Sequence, residues 1–99
     1  MSLMDIALRT GVPLIDIEDL TRGVVTEKVA ERFGVPQLAL EEFIRHGQAS
    51  SRMAHRLGMS MASAEELART LGSEGAIGLV LGLMLASQGS ERRQAVGAG

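Results

Sequence analysis

An all-α fold of about seven short helices is what this sequence predicts, and three observations carry that expectation. A fifteen-residue pattern, Φ-A-x-R-x-G-Φ-[P/S]-x-x-x-[Φ/A]-E-[D/E]-Φ with Φ apolar, occurs three times. Its copies start at Ile6, Val29 and Met53, at intervals of 23 and then 24 residues, and a fixed period in that range marks a repeated supersecondary unit. The composition is 45% hydrophobic but holds only two aromatics, Phe33 and Phe43. The core must therefore be assembled from Leu, Ile, Val, Ala and Met, which suits close packing of helices. Finally, Ala76 to Ala86 (AIGLVLGLMLA) is a run without a polar side chain, and a helix apolar all round is usually buried at the centre of a fold.

The elements follow in order. Met1-Ser2-Leu3 ahead of Met4 read as a leader from cloning, so the single helical domain is expected over 4–88. The first repeat, 6–23, reads as a helix-turn-helix-like hairpin. Ile6 and Ala7 lie in its first helix, Gly11 stops that helix, Pro13 suits the start of the next, Ile17 and Leu20 share a face, and Gly23 closes the unit. Val12 to Ile17 is rich in β-formers and competes as a short strand. The helical reading is preferred because the other two copies align with it. The second repeat, 29–47, places Val29, Ala30 and Phe33 on one face, then Gly34, Pro36, Leu40, Phe43 and Gly47. The third, 53–72, uses Gly58, Ser60, Ala64, Leu67 and Gly72, and Ser63-Ala64-Glu65-Glu66 fits a capping box that would start a helix at Ser63. The apolar helix is expected over 74–87. Gly75, Gly78 and Gly82 each cost it about 1 kcal/mol against Ala, and Gly78-x-x-x-Gly82 places two of them on one face, as in closely packed helix pairs. Residues 89–99 (GSERRQAVGAG) are small and polar and are expected to be a disordered tail or linker.

The charges bound the partners. Twelve acids against ten bases give a net charge of −2, without the basic excess usual in nucleic-acid binders. Glu18–Arg22, Glu41–Arg45 and Glu65–Arg69 all stand at i, i+4, in the orientation that supports a helix. These charges are expected to lie on solvated helix faces; the alternative is that Arg9, Arg32 and Arg56, the arginines inside the pattern, pair with acids of the neighbouring unit and fix the stacking.

Two resemblances enter here. Ala30, Gly34, Val35 and Leu40 resemble the helix-turn-helix of bacterial repressors, where Ala permits a close crossing, Gly makes the turn and the next apolar residues lock the second helix. Ala7, Gly11, Val12 and Ile17 fit in the same way, as do Ala54, Gly58 and Met59, with Ala64 small for the last position. The resemblance implies a DNA-binding regulator whose contacts would be Arg52, His55, Arg56 and Arg69. Glu18/Asp19, Glu41/Glu42 and Glu65/Glu66 stand against it, because carboxylates recur where phosphates would have to be met. Gly11 to Leu20 followed by Lys28 to Pro36 also resembles a segment near the N-terminus of type II secretion and type IV pilus ATPases, which implies a module that docks partner proteins.

Nothing in the chain reads as catalytic. It has no Cys, no phosphate-cradling glycine loop and no H-E-x-x-H, and His46 and His55 do not have a metal-ligand spacing on one helix. No enzyme activity, cofactor or metal is expected, and the cytoplasm is the default compartment because the N-terminus lacks a basic region followed by an apolar core. His46, beside Gly47, reads as a cation at a helix C-terminus. The leading expectation is a non-enzymatic protein-interaction or assembly module that self-associates. Its candidate interface residues are Leu14, Ile15, Leu38, Met61, Gly78 and Gly82. A DNA-binding regulator is the first alternative, and a membrane-surface helical protein using Ala76 to Ala86 is the second, that run being too short to span a bilayer.

Overall fold

Six helices make up the regular structure of the computed structural model, which describes residues 2–98 and the side chains of 2–87. They are α1 (Leu3–Thr10), α2 (Leu14–Thr21), α3 (Glu27–Phe33), α4 (Gln37–His46), α5 (Ser51–Leu57) and α6 (Met61–Ala98). The all-α expectation holds, and no strand occurs among the described residues. The β-rich segment Val12 to Ile17 enters α2 at Leu14, after Pro13 with φ −54°. The backbone of the expected tail is traced as helix to Ala98, while its side chains lie outside the described residues.

Local chemistry explains where the helices begin. Ser2, in the stretch read as a leader, is the N-cap of α1: its hydroxyl accepts from Asp5 N–H at 3.2 Å, and Asp5 accepts in return from Ser2 N–H at 3.3 Å. The two Ser2 hydrogen bonds hold the Asp5 carboxyl below its ordinary value. A lowered folded-state value stabilises the fold at neutral pH, and that contribution is lost as pH falls through it. Thr26 caps α3 and Ser50 caps α5 in the same manner, and Pro36 opens α4 as Pro13 opens α2. α6 starts two residues earlier than the expected Ser63. Ser60 is the residue whose hydroxyl accepts from a first-turn donor, Ser63 N–H at 3.1 Å, while Ser60 donates to the Ser63 hydroxyl at 3.0 Å.

The turns use glycine. Gly11, Gly23, Gly34, Gly47, Gly58 and Gly72 all have positive φ, and no described residue other than glycine does. Gly72 differs from the rest. Its φ of 74° and ψ of 178° interrupt α6, so the polar segment before it and the apolar segment after it run in different directions. That conformation is essentially closed to residues with a Cβ. Gly72→Ala is expected to cost about 1.5 kcal/mol in urea unfolding although nothing lies within 4 Å of the added carbon. An unchanged midpoint would mean that the break at Gly72 is not needed for folding.

Each helix packs on the next, and α6 packs against all five others, including α1. The arrangement is thus closed around α6 rather than stacked in a line. The side chains most completely withdrawn from water include Phe33, Phe43, Ile17, Leu20, Leu40, Met53, Val29 and Val80. Thr10 is the buried polar residue. Its hydroxyl donates to Ile6 O at 2.7 Å and accepts from Val12 N–H at 3.3 Å, so its burial leaves nothing unpaired.

The apolar run does not behave as a helix buried all round. Ala76, Ile77, Val80, Leu81 and Met84 are buried, whereas Gly78, Gly82 and Ala86 are exposed. A Cβ added at Gly78 or Gly82 would meet nothing within 4 Å among the described residues, so these glycines serve no close helix approach there. The reason is geometric: Ala76, Ile77, Val80, Leu81 and Met84 share the covered face of the helix, and the face of Gly78, Gly82 and Ala86 is left to the outside. By length and composition alone, Met61–Ser87 is also apolar enough to cross a membrane, as core helices of folded domains often are.

Candidate functional site

The polar contacts that join helices distant in sequence are not ion pairs among the described residues. Arg56, in α5, reaches back to the end of α3. Its Nε donates to Phe33 O at 2.8 Å, its guanidinium lies 4.5 Å from the centroid of the Phe33 ring, and a terminal nitrogen donates to Ser87 Oγ at 3.0 Å. One of the carbonyls left unsatisfied at a helix C-terminus is thereby satisfied by a cation. Three further contacts do similar work. Gln37 Nε2 donates to Val25 O at 2.7 Å, Glu65 accepts from Ala49 N–H at 3.1 Å, and Ser73 donates to Ile44 O at 2.9 Å. Arg9 and Arg32 are exposed and pair with no acid among the described residues. Arg9 and Arg32 thus lie on solvated faces, while Arg56 meets a carbonyl and a ring instead of a neighbouring acid.

The helix-surface pairs are also partly re-sorted. Arg45 meets Glu41 at 3.3 Å, as expected for i, i+4. Arg22 takes Asp19 rather than Glu18, and Arg69 takes Glu66 at 2.9 Å rather than Glu65. Glu65 is unavailable because it caps the Ala49 amide, and at i, i+3 the other acid of each doublet lies within reach. These pairs are exposed and worth a few tenths of a kcal/mol each, ~0.3–0.5.

The candidate interface residues divide into three groups. Ile15 at 60% exposure, Leu38 at 67% and Met61 at 48% stand out from the surface at the starts of α2, α4 and α6. Leu14 is half-buried and packs against the core, so it offers little to a partner. Gly78 and Gly82 lie on the open side of α6. Around Leu38 the surface is concave. A hollow of about 520 Å³ is lined by Pro36, Leu38 and Ala39 from the start of α4, by Gln48, Ala49 and Ser50 from the following turn, and by the carboxylates Glu42 and Glu65. Glu42 is half-buried and has no cationic partner among the described residues.

The candidate DNA contacts are not equivalent to one another. Arg52 and His55 are exposed, three apart on α5, and line a second hollow of about 520 Å³ with Gly34, Ser51 and Arg56. Arg56 is half-buried and already engaged by Phe33 and Ser87, and Arg69 is held by Glu66. Arg52 has no acidic partner among the described residues.

No family model, curated protein or solved structure matches this chain. Arg56 as a cap for the end of α3 is the role that the sequence pattern did not show. Its only sequence signal is its place in the pattern, which it shares with Arg9 and Arg32.

Proposed function

We propose that this chain is a non-enzymatic helical module that associates with itself through apolar surface. With the break at Gly72 taken as an element boundary, α6 counts as two helices. On this reading the chain is three hairpins, each with a glycine turn at Gly11, Gly34 or Gly58, plus a seventh, apolar helix that keeps one face open. The observation that carries the functional reading is Leu38. A large aliphatic side chain at 67% exposure stands over a hollow whose lining includes Pro36, Ala39 and Ala49. Aliphatic side chains left in water beside an apolar concavity favour association.

Leu38→Asp tests the reading by light scattering coupled to size exclusion at high salt. The unmodified chain is expected to run as an oligomer and the variant as a monomer of unchanged helicity, because a substitution at so exposed a position changes stability by no more than about 0.5 kcal/mol. A monomeric unmodified chain at every concentration would overturn self-association. The Arg52 and His55 hollow, which has no acid in its lining, keeps DNA binding as a second reading. Salt-dependent binding of a duplex that is lost in Arg52→Ala would favour it over the first.

A further inference from the structure

The two hollows draw on the same two stretches of chain. The one beneath Leu38 is lined by Pro36 and Ser50, and the one beside Arg52 by Gly34 and Ser51, which makes the α3–α4 turn and the start of α5 a border common to both. Their charges are opposite. The Leu38 hollow is lined by the acids Glu42 and Glu65, and the other by the arginines Arg52 and Arg56. Glu42 and Arg52 have no ion-pair partner among the described residues. An acidic, apolar patch beside a basic one is self-complementary about a two-fold axis, where one surface patch meets a copy of itself.

We infer that the occupant of the Leu38 hollow is a second copy of this chain, docked about a two-fold axis through the shared border. Glu42 of each copy faces Arg52 of the other, and the exposed Leu38 side chains pack between the two ion pairs. This deepens the self-association reading and rests on it. It predicts a closed dimer rather than a growing chain, since each patch is used once and the symmetry satisfies both. It also assigns the exposed basic residues of α5 to protein rather than to phosphate. Complementary charge fixes register, and a like-charge juxtaposition weakens an interface strongly.

Charge reversal supplies the test. Glu42→Arg alone places Arg against Arg52, and Arg52→Glu alone places Glu against Glu42. Each single variant is expected to weaken the dimer by about tenfold or more in sedimentation equilibrium at moderate salt. Mixing the two single variants restores both ion pairs and is expected to recover a heterodimer, and Glu42→Arg/Arg52→Glu in one chain is expected to recover a homodimer. Circular dichroism of each variant reports whether it has folded, and the mixing experiment uses only chains that have. An unmodified chain that stays monomeric overturns the self-association reading itself. An unmodified chain that dimerises while the single variants dimerise equally well overturns only the present inference, leaving another face, such as that of Gly78 and Gly82, as the interface. Species that keep growing with concentration also overturn it.

Discussion

Phe43→Ala is expected to lower the free energy of unfolding by about 3–5 kcal/mol, the usual cost of removing a buried aromatic ring. Phe43 is fully buried in α4, the chain has one other aromatic to share its load, and α4 packs on α3, α5 and α6. The void would be lined by side chains from several helices, so no single helix can shift to close it. The denaturation midpoint should fall with little change in slope, because the surface exposed on unfolding stays nearly the same. A loss below about 1.5 kcal/mol would mean that the core collapses around the missing ring, and the packing described for α4 would need revision. Phe43→Leu, which keeps most of the volume, should recover more than half of the loss.

Arg56→Ala is expected to cost about 2–3 kcal/mol, as much as many buried aliphatic truncations although Arg56 is only half-buried. The substitution strips the Phe33 carbonyl of its charged donor, leaves Ser87 without its partner and removes the cation from the Phe33 ring. Arg56→Lys separates geometry from charge. A lysine still places a cation near the end of α3, but it lacks the planar fork that serves the carbonyl and the serine together. It is expected to recover less than half of the stability. Full recovery would mean that charge at the helix end is enough. Arg52→Ala makes the comparison on the same helix. Arg52 is exposed and makes no hydrogen bond or ion pair among the described residues, so its loss should change the stability of the folded monomer by about 0.5 kcal/mol or less. The two arginines, four positions apart, thus have different work. One belongs to the fold and the other is free for the surface.

The polar stitches between helices distant in sequence also bear on how the protein unfolds. Thermal or denaturant unfolding is expected to be a single transition, since α6 touches every other helix and Arg56 ties α5 to the end of α3 and to Ser87. A chain of stacked hairpins touching only their neighbours would instead be prone to open from one end.

By itself the sequence determined the helical class and the places where the chain turns. The glycines named from the pattern, Gly11, Gly23, Gly34, Gly47, Gly58 and Gly72, are those with positive φ. Ile17, Leu40 and Ala64, one position of the pattern in its three copies, are all fully buried. These features are local: a left-handed turn, a cap or an amphipathic face depends on residues within a few positions, and those are adjacent in the sequence. Only the tertiary structure decided that the helices close around α6, that α6 keeps one face open at Gly78 and Gly82, and that Leu38 overhangs a hollow while Leu14 packs inward. Only the tertiary structure decided, too, the partners of Arg56, Glu65 and Ser73, because these contacts join residues 16 to 31 positions apart. No periodicity encodes such pairs. Arg9, Arg32 and Arg56 are the same letter at the same place in three copies, and Arg56 alone caps another helix, because the end of α3 and Ser87 both lie within its reach.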